Sequence, residues 1–263
     1  MKSLKLKKLV NTRDLGGLPA AEGKTVKYGK LIRSGKLYAL PQKTKKKLSI
    51  LGVNLVVDLR MDEERLEYPC DLPEGCAYLR LPLFCTMKAG VVRGKKMRKL
   101  VREEGKRIKR EYPSADAYME DLYREILSLP EFREVLERFL KTAVSHEGCM
   151  LWCCTVGKDR TGICAMLLES LLGVDEEWIM TDYTLSYRVQ RRKRLPQKWA
   201  LWLPVVPPSL RDILIAMINA KPEYLNAALD YMKQNYGSAI NYCKEALHIT
   251  DDDIATLRSK YLE

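Results

Sequence analysis

No stretch of this 263-residue chain is apolar for long enough to cross a bilayer, and the basic amino-terminal segment reaches Val10 without the hydrophobic core of a secretory signal. Internal repeats and low-complexity tracts are absent, which sets repeat architectures aside. Cysteine is sparse. The eight residues, at positions 70, 76, 85, 149, 153, 154, 164 and 243, are too few for a small disulfide scaffold and include an adjacent pair, so a reducing compartment is expected, by default the cytoplasm. Cys149, Cys153, Cys154 and Cys164 lie near His146 in sequence, but no CxxC pair exists, so neither a metal nor another cofactor is expected. Acid is scarce relative to base: 46 Lys/Arg against 34 Asp/Glu leave a formal charge of +12, which favours anionic partners. The length suits one domain over residues 1–263, with room for a lid.

What is present is concentrated at residues 149–162, Cys-Met-Leu-Trp-Cys-Cys-Thr-Val-Gly-Lys-Asp-Arg-Thr-Gly. Cys154 and Arg160 stand six positions apart with Gly157 between them, and an apolar helical pattern follows. A loop of this length can curl until its backbone N–H groups converge on one oxyanion, while the next helix adds its positive end. The same field favours the thiolate of Cys154, the form that attacks phosphorus. Arg160 would fork two donors onto phosphate oxygens. Thr155, Val156, Gly157, Lys158 and Thr161 complete a cradle that should hold a phosphate or sulfate ion. A Walker A loop is excluded, because Trp152 stands six positions before Lys158 where glycine is required, and Asp159 replaces the Ser/Thr after the lysine.

The surrounding pattern predicts an α/β fold with a mostly parallel central sheet flanked by helices. Residues 54–59, 77–81 and 149–153 read as strands, and 160–172 as a helix closed by Gly173. Asp175 is a candidate cap for the next helix, and Thr250 for the last. A long helical region from about Gly94 to Leu140 begins with eleven Lys/Arg between residues 86 and 110, where Glu103 and Glu104 are the acids. Residues 86–130 are therefore expected to form a helical lid or insertion, its later part having core-like apolar spacing. A second basic cluster, Arg188 to Arg194 with Lys198, suggests a connector or an anion-binding arm. The carboxyl-terminal part has mixed charge, and no nucleic-acid partner is expected.

The segment from Cys154 to Gly162 resembles the signature of bacterial atypical protein-tyrosine and lipid phosphatases, within the tyrosine phosphatase superfamily. Further matches run along nearly the whole chain: Asn11-Thr12-Arg13-Asp14-Leu15-Gly16-Gly17, Arg33-Ser34-Gly35 with Leu37, Val57-Asp58-Leu59-Arg60 with Glu64, Asp182 to Ser186, and Pro222 to Leu225. The resemblance implies a cysteine phosphatase fold and a two-step mechanism through a phosphoenzyme. It also implies activity toward phosphotyrosine in protein, with phosphoserine or phosphoinositide as further substrates. An inositol polyphosphate phosphatase, or an inactive phosphate-binding protein with the same cradle, are the alternatives. One position departs from the family: the residue before the nucleophile is commonly histidine, and here it is Cys153.

The general acid has two candidates. Asp58 ends a predicted parallel strand whose carboxyl end should open on the crevice of Cys154, and it lies in the Asp-Leu-Arg motif of the resemblance, so it is placed first. Asp159 lies inside the cradle and is the alternative; Asp182 is a distant third. Lys158 would add a second cation at the mouth, useful for a neighbouring phosphate on an inositol ring. Arg13 and Asp14 are expected to brace the loop, and Arg60 to anchor it or to meet substrate.

Overall fold

The computed structural model describes residues 2–83, 103, 105–187 and 208–263. Six strands form one sheet in the order β1-β2-β3-β6-β4-β5: β1 (Lys2–Ser3), β2 (Arg13–Asp14), β3 (Leu31–Ser34), β4 (Val53–Asp58), β5 (Ala77–Arg80) and β6 (Cys149–Cys153). The four strands β3, β6, β4 and β5 are mutually parallel, and β1 and β2 add an antiparallel edge. This is the predicted α/β architecture. β6 occupies the middle because all five of its residues are buried, as a strand covered on both faces requires. Its side chains alternate: Met150 and Trp152 join the larger apolar core, whereas Cys149, Leu151 and Cys153 join a second core on the opposite face.

The helices are α1 (Gln42–Ile50), α2 (Asp62–Glu67), α3 (105–111), α4 (Ala115–Ser128), α5 (Pro130–Ser145), α6 (Asp159–Leu171), α7 (176–187), α8 (Pro208–Ile218), α9 (Pro222–Tyr236), α10 (Ala239–Ala246) and α11 (Asp251–Tyr261). Helix α6 is buried almost all round, which explains why residues 163–171 read as nearly continuous apolar sequence. Gly173 follows it with a φ of +74°, and the Thr250 hydroxyl accepts from the Asp253 N–H to cap α11, both as the sequence predicts.

The long helical region is divided where backbone chemistry requires it. The Ser114 hydroxyl caps α4 by accepting from the Ala117 N–H, and Pro130 opens α5 at a position where its missing N–H costs nothing. Helix α4 packs on α9 and buries Tyr118, Leu122, Tyr123 and Ile126. Helix α4 therefore packs as scaffold, in keeping with the core-like spacing of the later part of this region. The remainder of the expected insertion falls largely on residues 84–102 and 104, and the basic cluster at 188–198 on residues 188–207, which lie outside the described residues.

Candidate active site

Strand β6 delivers Cys154 to a tight loop that runs directly into α6. Gly157 makes the turn with a φ of +70°, and a Cβ there would stand 2.5 Å from the Ser34 carbonyl, so both conformation and space demand glycine. The turn brings the Gly157 N–H to 3.2 Å from Cys154 Sγ. A donor aimed at sulfur stabilises its charged form, and the amino end of α6 acts in the same direction.

The outer side of the loop is held by a buried polar network. Asn11 Nδ2 donates to the Gly157 carbonyl at 2.6 Å, and Arg33 Nη2 reaches the Gly157 and Lys158 carbonyls at 3.2 and 3.4 Å. A trans peptide points its C=O and N–H in opposite directions, so anchoring these two carbonyls outward turns the N–H groups of Lys158 and Asp159 inward. Asn11 itself sits in the left-handed region at φ 56°, a conformation that a residue adopts when its surroundings require it. Arg13 fixes Asn11 by donating to its Oδ1 at 2.6 Å, and it pairs with Asp182 at 2.5 Å. Arg33 pairs with the same carboxylate.

The charge balance of this network favours an anion above it. Burial raises the Asp182 carboxyl, but Arg13 and Arg33 outweigh it and hold the group below its usual range. Glu169, packed in the same cluster, is driven well above the carboxylate range by burial and by Asp182, and neither of its oxygens has a hydrogen-bond partner among the described residues. That shift favours the neutral form of Glu169, so the charged groups of this cluster are chiefly the two arginines and Asp182.

Arg160 is oriented from the other side. Its Nη1 and Nη2 fork onto Glu64 Oε2 and Oε1 at 2.7 and 2.8 Å, and the Thr155 hydroxyl donates to the same carboxylate. Although burial opposes it, the Arg160 guanidinium, assisted by Thr155, holds the Glu64 carboxyl down at about 2. Glu64 is placed by α2, where it also accepts the Met61 N–H at 2.9 Å. Nη1 also reaches the Leu59 carbonyl at 3.2 Å, and together these contacts fix the plane of the guanidinium.

Asp159 opens α6 with its side chain 26 % exposed. Its Oδ1 accepts from Tyr123 Oη at 2.6 Å, and Tyr123 is linked to Tyr183 at 2.7 Å. Asp58 lies elsewhere. Its register partner is Cys153, so the two side chains share the face opposite Trp152. There it is fully buried, bound by Arg60 through Nε and Nη2 and by Tyr78 Oη at 2.8 Å. The strand does end at the crevice, but a period of two sends this side chain away from Cys154.

The positions of the other expected site residues follow from their contacts. Lys158 is not at the mouth: it is buried, and its ammonium donates to the carbonyls of Met217 and Asn219 at the end of α8, 3.2 Å from Asp159. Arg60 is buried and committed to Asp58 and the Tyr68 carbonyl. Arg13 is buried behind the loop and braces it through Asn11. Asp14 binds the N–H groups of Gly16 and Gly29 and shapes the preceding turn. Thr161 is fully buried in the first turn of α6, its hydroxyl without a partner among the described residues. Glu64, Asn11, Arg33 and Tyr123 have no site role in the sequence reading, although the first three fall within its quoted motifs. The described residues hold no group of three or more His, Cys, Asp or Glu arranged for a metal.

A sulfur that accepts a loop N–H, followed six residues later by an arginine fixed in plane in the first turn of the next helix, defines a cysteine-dependent phosphatase. Comparison with known proteins agrees. The chain belongs to the tyrosine phosphatase family, whose model matches residues 4–263. It is a protein-tyrosine-phosphatase-like enzyme that acts through a cysteinyl-phosphate intermediate. A protein of Cupriavidus necator provisionally named a tyrosine-protein phosphatase is 31 % identical over 256 residues, covering 96 % of this chain and 85 % of the relative. The triple specificity protein phosphatase PtpB of Mycobacterium tuberculosis is 26 % identical over 255 residues, covering 90 % and 91 %. A crystal structure of TpbA from P. aeruginosa aligns with a TM-score of 0.30 and 19 % identity over 61 % of this chain and 71 % of its own, too slight a likeness to bear on the argument.

Proposed function

We propose that the protein hydrolyses phosphotyrosine in phosphorylated proteins, with Cys154 as nucleophile, Arg160 as clamp and Asp159 as general acid. The observation that carries this reading is the Gly157 N–H directed at Cys154 Sγ in a loop whose closing arginine is oriented by Glu64. The thiolate attacks phosphorus in line, and the bond to the leaving oxygen breaks as Asp159 gives that oxygen its proton. Asp159, now a carboxylate, then takes a proton from water, whose oxygen displaces sulfur and releases phosphate. Arg160 and the loop N–H groups hold the transferred oxygens throughout. Asp159 suits the acid role because it is partly exposed at the loop while Tyr123 fixes its carboxyl; Asp58, buried in an ion pair on the far face, has no such access.

Phosphotyrosine is placed ahead of phosphoinositide because Lys158, the cation that a second phosphate would use, is engaged with α8. Residues 1–263 are read as one catalytic domain, since one apolar core takes side chains from Leu15 to Leu262. No helix of the described residues is long and apolar enough to cross a membrane, and a cytoplasmic location is part of the proposal.

The test compares leaving groups. Asp159→Asn should slow hydrolysis of phosphotyrosine peptide far more than that of an aryl phosphate with a good leaving group, because only the first needs the proton. Cys154→Ser should abolish turnover on both yet still bind vanadate. Selectivity of this kind in Asp58→Asn and not in Asp159→Asn would reverse the assignment, and turnover by Cys154→Ser would refute the mechanism. A phosphoinositide arm, run beside the peptide, decides between the substrate classes.

A further inference from the structure

The amino-terminal part of the chain is strongly basic. Up to Val57 there are fourteen of the 46 Lys/Arg but only two of the 34 Asp/Glu, Asp14 and Glu22; the rest of the chain carries 32 of each sign. The first 57 residues thus carry a formal charge of +12, while the remainder sums to zero. Two of these fourteen cations, Arg13 and Arg33, are buried under the cradle, and the exposed ones are all lysine among the described residues.

Six of those lysines form one surface. Lys5, Lys7 and Lys8 precede Asn11, and Lys43, Lys46 and Lys47 lie on α1; all six are exposed. The Thr44 hydroxyl donates to the Lys7 carbonyl at 3.0 Å, and Leu6 and Leu9 share a core with Leu40 and Leu48 of the facing segment, so the two lysine groups are fastened side by side. None of the six forms an ion pair among the described residues, whereas Lys45 between them is paired with Asp71 at 2.9 Å. On α1 the spacing of three and four residues carries the Lys43, Lys46 and Lys47 stripe on to Ile50, which is 75 % exposed. The surface is also continuous with the active site: the Gly35 N–H donates to the Val10 carbonyl at 2.9 Å, and the adjoining Asn11 holds the loop.

We propose that this face adsorbs to an anionic lipid surface and presents the cradle alongside it. Flexible, strongly hydrated lysines suit a fluid plane of headgroups, where each adds about fivefold to partition, the equivalent of about 1 kcal/mol. An exposed isoleucine at the end of the stripe supplies apolar contact that a dissolved polyanion would not use. A nucleic-acid surface would instead be expected to place arginine and stacking aromatics among its cations, and these six positions carry neither. The proposal is independent of the catalytic reading, because it is measured as partition and not as turnover.

The experiment is vesicle co-sedimentation of the full chain, with phosphatidylcholine alone, with added phosphatidylserine, and with added phosphoinositide at matched charge. Wild-type protein should partition to both anionic vesicles and not to the neutral ones. Replacing Lys43, Lys46 and Lys47 by glutamine, or Lys5, Lys7 and Lys8 by glutamine, should each lower that partition by roughly a hundredfold. Ile50→Ser should lower it further without changing its salt dependence. All three variants should keep the wild-type melting temperature and wild-type hydrolysis of a small aryl phosphate. Absence of partition, or partition unaffected by both lysine sets, overturns the proposal. Binding to duplex DNA or an acidic polypeptide that responds to the lysines, without binding to vesicles, assigns the face to a dissolved polyanion instead. Partition to phosphoinositide alone that survives both lysine sets places the contact in the cradle and likewise overturns it.

Discussion

Replacing Glu64 by glutamine isolates the orientation of Arg160 from its charge. The wild-type carboxyl is held at about 2 against an ordinary 4.5, and a unit of pKa corresponds to 1.36 kcal/mol, so the pairing is worth about 3 kcal/mol to the folded state. Breaking a buried ion pair from one side costs about 3–5 kcal/mol, an independent figure of the same size. For a chain of this size the melting temperature should fall by roughly 6–12 °C. The sign with pH is fixed: a carboxyl depressed by folding contributes fully above 4.5 and loses its contribution as the pH falls through about 2, so variant and wild type should converge in stability across that window. At neutral pH, loss of the fork should lower kcat by about 10²–10³, the range seen when a transition-state donor is misplaced. Inhibition by inorganic phosphate should not weaken, because a negative charge behind the arginine has been removed. Glu64→Asp should recover part of the melting temperature but little of kcat, since its shorter side chain keeps the charge and loses the reach. Steady-state kinetics and thermal melts of the two variants check these values. A Glu64→Gln enzyme with wild-type kcat would show that Arg160 is oriented by other groups and refute the reasoning.

The loop brace and the distal carboxylate give two further tests. Asn11→Ala should lower kcat by about tenfold and weaken phosphate inhibition, because freeing the Gly157 carbonyl at 2.6 Å lets the next N–H swing out of the cradle; unchanged phosphate affinity would argue that Arg33 alone holds the peptide. Asp58→Asn should destabilise the fold by about 3–5 kcal/mol through its buried pair with Arg60, with no dependence of the rate on leaving group.

Much of this arrangement is legible in the sequence where the chemistry is local. The spacing of Cys154, Gly157 and Arg160 needs no tertiary information, since one strand end, one left-handed turn and one helix start already define the cradle. The central strands and the cap at Thr250 are equally local. What the sequence conceals is which way a side chain leaves its strand and what it meets across the chain. Asp58 lies at the expected strand end, but its pairing with Cys153 was needed to see that it faces the other core. Glu64 stands 96 residues from Arg160, and among Asp62, Glu63 and Glu64 only the last is buried, a distinction that composition does not make. Lys158 follows the same rule: its place in the loop is local, but its direction is set by the α8 carbonyls.

The same separation of faces explains how the cradle accommodates cysteine in place of the family's usual histidine. Cys153 is fully buried on the face opposite Trp152, and its thiol is pushed well above its ordinary range by burial and by the neighbouring Asp58. It therefore remains a neutral thiol and does not compete with Cys154 for a negative charge. A histidine in this strand conformation would also face Asp58 and Arg60, so its influence on the nucleophile would pass through the backbone of the strand. The contacts that act on Cys154 directly are the Gly157 N–H at 3.2 Å and the amino end of α6, and neither depends on the side chain at position 153. What fixes that N–H is the pair of outward-held carbonyls, anchored by Asn11 and Arg33 on segments about half the length of the chain away. Support for the thiolate has thus been placed in the amino-terminal motif, and that is the part of the molecule in which a substitution should alter the thiolate most without touching the loop itself.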